Sequence, residues 1–597
     1  MIWLFGGFAI LEYIIYFRHN PHFFQGDTIF WFYRRHRTIS DFLMSFFKLD
    51  PGWYRPLTDK TIQSLFYPVF GFEPAGYRVV QYLLFMSVIF AMYELAFIVS
   101  RSKRVAVIAS LLFGVHTVNA YTTYDVAFVP ELTFTFFYVC AAGAYLRYRD
   151  SHGRRFFFSS IACFVASLCS KESAVTLPVM VVALDLILNR AALRDAIAAA
   201  RAHLIILVLY IVLVVGYLGV QRPAFRAILD RPGPEVAYRL AVDRTILINA
   251  DYGLSWAFNI PRGWQTESRH MDPWAITFLK FFRAAVVLLG LWLMFRPERR
   301  IVIAALAWFF IAILPALPVF EHFVPYYLFC PLVGLSIGIA ATADAAYGKI
   351  AKYSPAVAAL ALIAPLTLLA GICAIAARND AQDNRMLGWS SRLASNSLSA
   401  LKAKYPVLPS NTTIYFSNAG EPGLSWDTSD GELFKIAYGD ESIRTLYWDW
   451  GVVITKELLE RGPLIVMKYD QFHFTDVTKE FLAASEPPVG YQVRPDYRLA
   501  ITPAAAELGE KYWLSIAGLE NSDVTLHYTV DAVPFAPSPP ISTITIRQVS
   551  KPLTKPAKAS TNSWAFERLG PKIGFRLPLP SASINPGPVD NHRLASK

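Results

Sequence analysis

Cysteine is scarce in this chain and placed where it can do little. All five cysteines (Cys140, Cys163, Cys169, Cys330 and Cys373) lie inside apolar runs, no Cys-x-x-Cys pair occurs, and the polar last third has none. A disulfide framework and a cysteine-based metal site are therefore excluded as organising features. Charge is also thin: Asp, Glu, Lys and Arg make up 17% of residues, against about 25% in a soluble domain. No internal repeat is visible, which excludes a solenoid. Residues 1–17 lack a basic leading region and a small-residue cleavage site, so they are expected to be a retained first helix, somewhat short of the ~20 residues of a full span.

Long apolar runs are what the chain has instead. Of 597 residues 54% are hydrophobic, and the mean hydropathy is +0.36. The net charge of +11 does not indicate nucleic acid, because the cations cluster beside apolar runs as membrane flanks do. Candidate spans lie near 1–17, 78–100, 105–120, 126–146, 155–170, 173–189, 204–221, 275–295, 301–318, 325–345 and 355–377, about eleven by length and hydropathy. The fold expected is a polytopic α-helical membrane domain over 1–377, followed by an α/β module over 378–486 and a β-sandwich with a Pro-rich tail over 487–597.

Alternate breaks between spans are basic. They hold Arg101, Lys103 and Arg104; Arg147, Arg149, Arg154 and Arg155; Arg190, Arg194 and Arg201; Arg296, Arg299 and Arg300; and Lys349 and Lys352. The positive-inside rule places these loops in the cytoplasm and the C-terminal region outside. A bacterial inner membrane is the expected location. The first outer loop runs against the rule with Arg34, Arg35 and Arg37; at about 60 residues it is at the length where the rule weakens. Segments 18–77 and 222–274, rich in aromatics and Pro, are expected to form short helices at the membrane surface.

The opposite breaks collect isolated ionisable residues: Asp27, Arg55, His116, Asp125, Glu131, Lys171, Glu172 and His322. Charge near a bilayer is costly, so its gathering on one face marks a site. Asp27, in Gln25-Gly26-Asp27-Thr28, is a candidate general base, a helix N-cap or a solvated loop acid. Arg55, in Tyr54-Arg55-Pro56-Leu57, offers a planar fork of donors for phosphate or is solvated. His116 is a substrate ligand or a structural histidine. Asp125 and Glu131 can orient a sugar hydroxyl or support a divalent metal ion. Lys171-Glu172, wedged between apolar runs, neutralises a lipid phosphate or forms a mutual ion pair, and His322 can donate to the same phosphate.

These residues, in this order, resemble the GT-C class of polyprenyl-phosphate-dependent glycosyltransferases, and within it the multi-span O-mannosyltransferase-like proteins that carry outer tetratricopeptide repeats. The resemblance covers roughly residues 20–335. It runs through Asp27 after the first span, Tyr54 to Leu57, Phe113 and His116 followed by Glu131, Ser170-Lys171-Glu172 with Pro178, and Tyr327-Leu328 with Pro331 and Gly334. The chain departs from it at Gly26, where the family often has a second acid, at Tyr121 for a glutamate, and at Tyr326 for an arginine. The repeats are absent. The resemblance implies an inverting glycosyltransferase that moves a sugar from a polyprenyl-phosphate donor to a protein, lipid or glycan hydroxyl at the outer face. Asp27 would be catalytic, and Tyr54, Arg55, His116, Glu131, Lys171, Glu172 and His322 would bind substrate. A divalent ion is an option in that class. A flippase for lipid-linked sugars and an inactive envelope scaffold are the rival readings.

Overall fold

The computed structural model describes residues 2–18, 22–47, 54–58, 61–188, 204–229, 240–261, 271–296, 298–320, 322–417, 423–447, 461–470, 472–484 and six strands between 498 and 575. The chain divides into two compact units, Met1–Ser395 and Asn396–Lys597.

The first unit is helical. In chain order it contains α1 (Ile2–Glu12), a π-helical turn (Tyr13–Phe17), α2 (Gly26–Tyr33), α3 (Ile39–Ser45), α4 (Thr61–Phe70), α5 (Pro74–Ser100) and α6 (Lys103–Gly114). These are followed by α7 (Asn119–Tyr124), α8 (Val129–Ser151), α9 (Arg154–Leu168), α10 (Leu177–Leu188), α11 (Leu204–Leu229) and α12 (Arg244–Trp256). The last are α13 (Pro273–Leu293), α14 (Arg299–Ile313), α15 (Phe329–Ile350) and α16 (Pro355–Asp383), and α17 (Ser390–Lys404) carries the unit boundary.

Each of the eleven expected spans coincides with helix. Among the described residues seven helical runs are long and apolar enough to cross a membrane: Pro74–Ser100, Val126–Ser151, Leu204–Arg222, Pro273–Leu293, Arg299–Ala316, Pro325–Ile350 and one within Pro355–Lys404. Leu4–Phe17 is apolar but shorter. Helices α6, α9 and α10, at 12, 15 and 12 residues, fall short of the ~20 that a ~30 Å core needs. Large apolar side chains such as Val215, Phe281, Leu288 and Leu360 face outward, as expected where lipid is the solvent. The protein is a polytopic helical membrane protein.

Local chemistry sets the helix ends. Pro74 begins α5, with the Glu73 carboxylate accepting from Ala75 N, and Ser102 caps α6 through Val105 N at 3.3 Å, each supplying an acceptor for an otherwise orphaned amide. The α5–α6 and α8–α9 turns close through Arg101 (φ 58) and His152 (φ 54), both left-handed. These turns share one end of the bundle with the basic loops. There Arg101 pairs with Asp150 (2.6 Å), Arg147 with Glu94 (2.5 Å), Arg104 with Asp344 (2.7 Å) and Arg149 with the buried Asp185 (3.3 Å). Loop cations thus also tie α5, α6, α8, α10 and α15 together. Arg190, Arg194 and Arg201 lie outside the described residues.

Helix α16 continues past 377, the expected end of the apolar run, to Asp383. Tyr124 donates to Ala377 O (2.7 Å) and Asn384 donates to the Tyr121 hydroxyl (3.1 Å), which binds this extension to the first unit. Segment 18–77 includes α2, α3 and α4, and segment 222–274 includes α12.

In the second unit, β1 (Thr413–Ser417), β2 (Arg444–Tyr447) and β3 (Leu464–Asp470) pair in parallel, with β4 (His473–Asp476) antiparallel at the edge, in the order β2-β1-β3-β4. Short helices over Glu432–Tyr438 and Thr478–Ala484 complete an α/β module. The five residues of β1 are all buried, as a central parallel strand requires. The helix expected over 454–461 lies almost wholly outside the described residues. Strands β5 (Arg498–Ile501), β6 (Tyr512–Ala517), β7 (Val524–Ala532), β8 (Ser542–Pro552), β9 (Ser563–Arg568) and β10 (Lys572–Phe575) form one antiparallel sheet, ordered β10-β9-β6-β7-β8-β5. The region read as a β-sandwich therefore presents a single six-stranded sheet. Two of its strands fall in the segment expected to be a Pro-rich tail, because Ser563–Arg568 finds a partner in β6 that local composition does not reveal.

Candidate active site

The end of the bundle opposite the basic loops gathers the isolated ionisable residues. Residues 54–58 lie along 169–172: Leu57 N donates to Cys169 O (3.0 Å) and Thr58 Oγ1 to Ser170 O (2.8 Å). The backbone of Tyr54 is gripped by α11, through Gln221 Oε1 (3.2 Å to Tyr54 N) and Gln221 Nε2 (2.9 Å to Tyr54 O). The Tyr54 hydroxyl donates to Phe46 O (2.8 Å). Tyr54 is thus a fixed strut in this geometry, and its neighbour Arg55 is the residue it aims.

Arg55 and Glu172 meet fork to fork, Nε to Oε2 and Nη2 to Oε1 at 2.9 Å each, with side chains 17% and 21% exposed. Burial alone would raise the Glu172 carboxyl, but Arg55 and then Lys171 outweigh it and hold it below the usual range. Lys171 is buried and its Nζ contacts the carboxylate of Glu131, in the first turn of α8. It also stands 5.0 Å from the Tyr327 ring and 5.5 Å from the Tyr326 ring, a cation–π cage on one side of the ammonium. Burial draws its pKa down to about 7, Glu172 opposing the shift and Arg55 adding to it. His322 reaches Tyr326 (Nε2 to hydroxyl, 3.5 Å). Burial, then the charge of Lys171, lowers its pKa to about 4, so it is a neutral imidazole at pH 7. Arg55, Glu131, Lys171, Glu172 and His322 therefore form one cluster drawn from four segments of the chain.

Asp27 lies in the first turn of α2 and is exposed. The residue before it, Gly26, has φ +42, a left-handed conformation that favours glycine. That accounts locally for a glycine where the resembled family often places an acid. Both flanks of Asp27 are held by one carboxylate. Asp125 accepts from Thr28 Oγ1 (2.8 Å) and from Gln25 Nε2 (3.0 Å), while its Oδ1 also caps Ala127 N (2.9 Å) ahead of α8. Gln25 Nε2 further donates to Met386 O (2.7 Å). Asp125 so pins the Asp27 turn to the segment that leads into Glu131.

Two expectations change. Asp125, considered for a divalent metal, has both oxygens engaged by these hydrogen bonds. Among the described residues no group of three or more His, Cys, Asp or Glu could hold a metal ion. His116, considered as a substrate ligand, lies outside the cluster. Its Nδ1 accepts from Val118 N (3.2 Å), which leaves the proton on Nε2 to donate to Ala257 O (3.3 Å). It is a neutral brace between the α6–α7 turn and the end of α12.

Sequence reading missed several polar residues. Arg78 and Gln81 on α5 reach the same turn: Arg78 Nη2 donates to His22 O (2.9 Å) and Gln81 Nε2 to Asp125 O (2.8 Å). Both sit at the start of an apolar run, where a polar or ionisable residue is itself a signal. Glu12, fully buried in the first apolar run, has no hydrogen-bond partner on either oxygen among the described residues and packs against Gly114. Tyr121, at the position of a family glutamate, is buried and accepts from Asn384.

Comparison of the chain with family models and with curated proteins returns no match. Among solved structures it is similar to the apo oligosaccharyltransferase of Archaeoglobus fulgidus, at 14% identity over 78% of this chain and 69% of that one, TM-score 0.45. It is similar to archaeal AglB from the same organism with an inhibitory peptide and a dolichol-phosphate, at 13% identity over 78% and 69%, TM-score 0.43. ArnT from Cupriavidus metallidurans bound to undecaprenyl phosphate aligns at 13% identity over 82% and 95%, TM-score 0.44. At values this low neither family nor activity follows from the likeness.

Proposed function

We propose that this protein is a GT-C-type inverting glycosyltransferase that moves a sugar from a polyprenyl-phosphate carrier to an acceptor hydroxyl at the outer membrane face. The observation that carries the proposal is the seating of Arg55-Glu172 and Lys171-Glu131 side by side at the end of the bundle away from the basic loops. An exposed carboxylate, Asp27, stands on a turn hydrogen-bonded to the lead-in of the same helix. The N-terminus is inside and the second unit outside in this reading.

Asp27 takes the proton of the acceptor hydroxyl as its oxygen attacks the anomeric carbon. The bond from that carbon to the phosphate oxygen breaks, and the electron pair leaves with the polyprenyl phosphate. Arg55 and Lys171 are the cations available to the departing phosphate, which competes for them with Glu172 and Glu131. Neutral His322 adds a ring nitrogen beside Lys171. The gathering of these groups at one end of the bundle supports transfer over a flippase, whose polar sites lie near mid-membrane.

The test uses purified full-length protein in detergent with a panel of polyprenyl-phosphate sugars, following sugar transfer or slow hydrolysis. Asp27→Asn is expected to lower the rate by about a hundredfold or more, as loss of a general base does, with carrier affinity retained. Undiminished turnover in Asp27→Asn overturns the role of Asp27. Carrier binding without turnover in the unaltered protein overturns transfer in favour of carrying or scaffolding.

A further inference from the structure

A second site lies at the other end of α15. A cleft of about 390 Å³ opens between the C-terminal end of α13, the start of α14, the α5–α6 turn and the last turns of α15. Arg296, Lys349 and Lys352 line it, with Trp292, Glu298 and Asp344. Asp344 is already neutralised by Arg104 at 2.7 Å and accepts from Ser102 Oγ at 3.2 Å. Among the described residues Arg296, Lys349 and Lys352 form no ion pair. Two of them converge nonetheless: Arg296 Cζ lies 5.1 Å and Lys349 Nζ 5.9 Å from the same Trp292 ring. Like charges brought to one indole, with Glu298 alone as an uncompensated acid, leave an excess of positive potential that an anion would relieve.

The surroundings select the kind of anion. Leu288, Leu291 and Phe295 on the same helix end are strongly exposed, as is Tyr353 beyond Lys352. Bare apolar surface around a cationic cleft at the ends of membrane-spanning helices suits a lipid, with a tryptophan at headgroup depth. We propose that this cleft binds the phosphate headgroup of an anionic glycerophospholipid, whose acyl chains lie over Leu288, Leu291 and Phe295. The site is separate from the Lys171 cluster, which lies at the opposite end of α15, and is independent of the proposed transferase activity.

The experiment reconstitutes the full-length protein in phosphatidylcholine nanodiscs with and without phosphatidylglycerol, reading thermal unfolding and retained lipid adducts by native mass spectrometry. Arg296→Gln/Lys349→Gln/Lys352→Gln is compared with Arg154→Gln/Arg155→Gln, which removes two exposed cations from the α8–α9 turn at the same end of the bundle. Phosphatidylglycerol is expected to raise the melting temperature of the unaltered protein and of the second variant, and to leave a retained adduct on both. In the first variant adduct affinity falls roughly fivefold per cation, on the order of a hundredfold in all. Equal loss in both variants, an unchanged lipid response in the first, or no response in the unaltered protein overturns the site. Protection by millimolar inorganic phosphate alone overturns the lipid assignment. Lys349→Gln by itself, at one exposed position, gives the same reading at smaller amplitude if the triple variant does not fold.

Discussion

Asp125 accepts a 2.8 Å hydrogen bond from the hydroxyl of Thr28, 97 residues earlier in the chain. With its second oxygen it takes Gln25, so one buried carboxylate fixes the turn on both sides of Asp27. Asp125→Asn keeps the shape but replaces one acceptor with an amide donor, which faces either the Ala127 N–H or the Gln25 amide. A buried mismatch of this kind costs about 1–3 kcal/mol. The expected outcome is a lower kcat with an unchanged KM for the carrier, since the base is displaced and the phosphate cluster is not. A rise in KM at constant kcat would place Asp125 in carrier binding instead.

Arg55 meets Glu172 through two parallel hydrogen bonds, a geometry that lysine cannot reproduce. Arg55→Lys is therefore expected to weaken carrier binding about as much as Arg55→Gln. One charged hydrogen bond lost corresponds to about 2 kcal/mol, or roughly thirtyfold. Titration of a fluorescent polyprenyl phosphate measures it. Affinity preserved in Arg55→Lys shows that a point charge at this position suffices.

Lys171 is drawn down to about 7 by burial. The cationic form attracts phosphate and exists below that value, so kcat/KM for the carrier is expected to fall as pH rises through about 7. Arginine stays charged across this range, so Lys171→Arg should flatten the alkaline limb even where it lowers the overall rate. A limb that persists unchanged in Lys171→Arg belongs to another group.

A methyl group on Gly114 would fall on the carboxyl oxygen of Glu12. Gly114→Ala is expected to destabilise the protein by about 1–3 kcal/mol through overpacking. The double variant Glu12→Ala/Gly114→Ala should recover much of that, because the obstructing group is gone. Thermal unfolding of the two single variants and the double variant in one detergent decides it. Additive effects in the double variant would show that the close packing seen here is not what limits the site.

The helices and their approximate ends were legible because hydropathy and charge act locally: a run of apolar residues near 78–100 must be helix in lipid whatever surrounds it. The pairing of Arg101, His152 and Lys349 with one end of the bundle follows from the same alternation of runs. The candidate cluster was legible only as a set of types. Spacing left Lys171-Glu172 open between a mutual pair and a phosphate site, and each residue in fact takes a different partner, Glu131 and Arg55, 40 and 117 residues away.

The sequence alone determined that this is a polytopic membrane protein with its isolated ionisable groups gathered on one side, since transfer free energies add up along the chain. Tertiary structure decided which of those groups work together. It drew His116 away to brace Ala257, turned Asp125 from a possible metal ligand into a clamp on the Asp27 turn, and brought Arg55 to Glu172. Those outcomes depend on which segments pack against one another, and a hydrogen bond between distant segments leaves no mark on the local pattern of either.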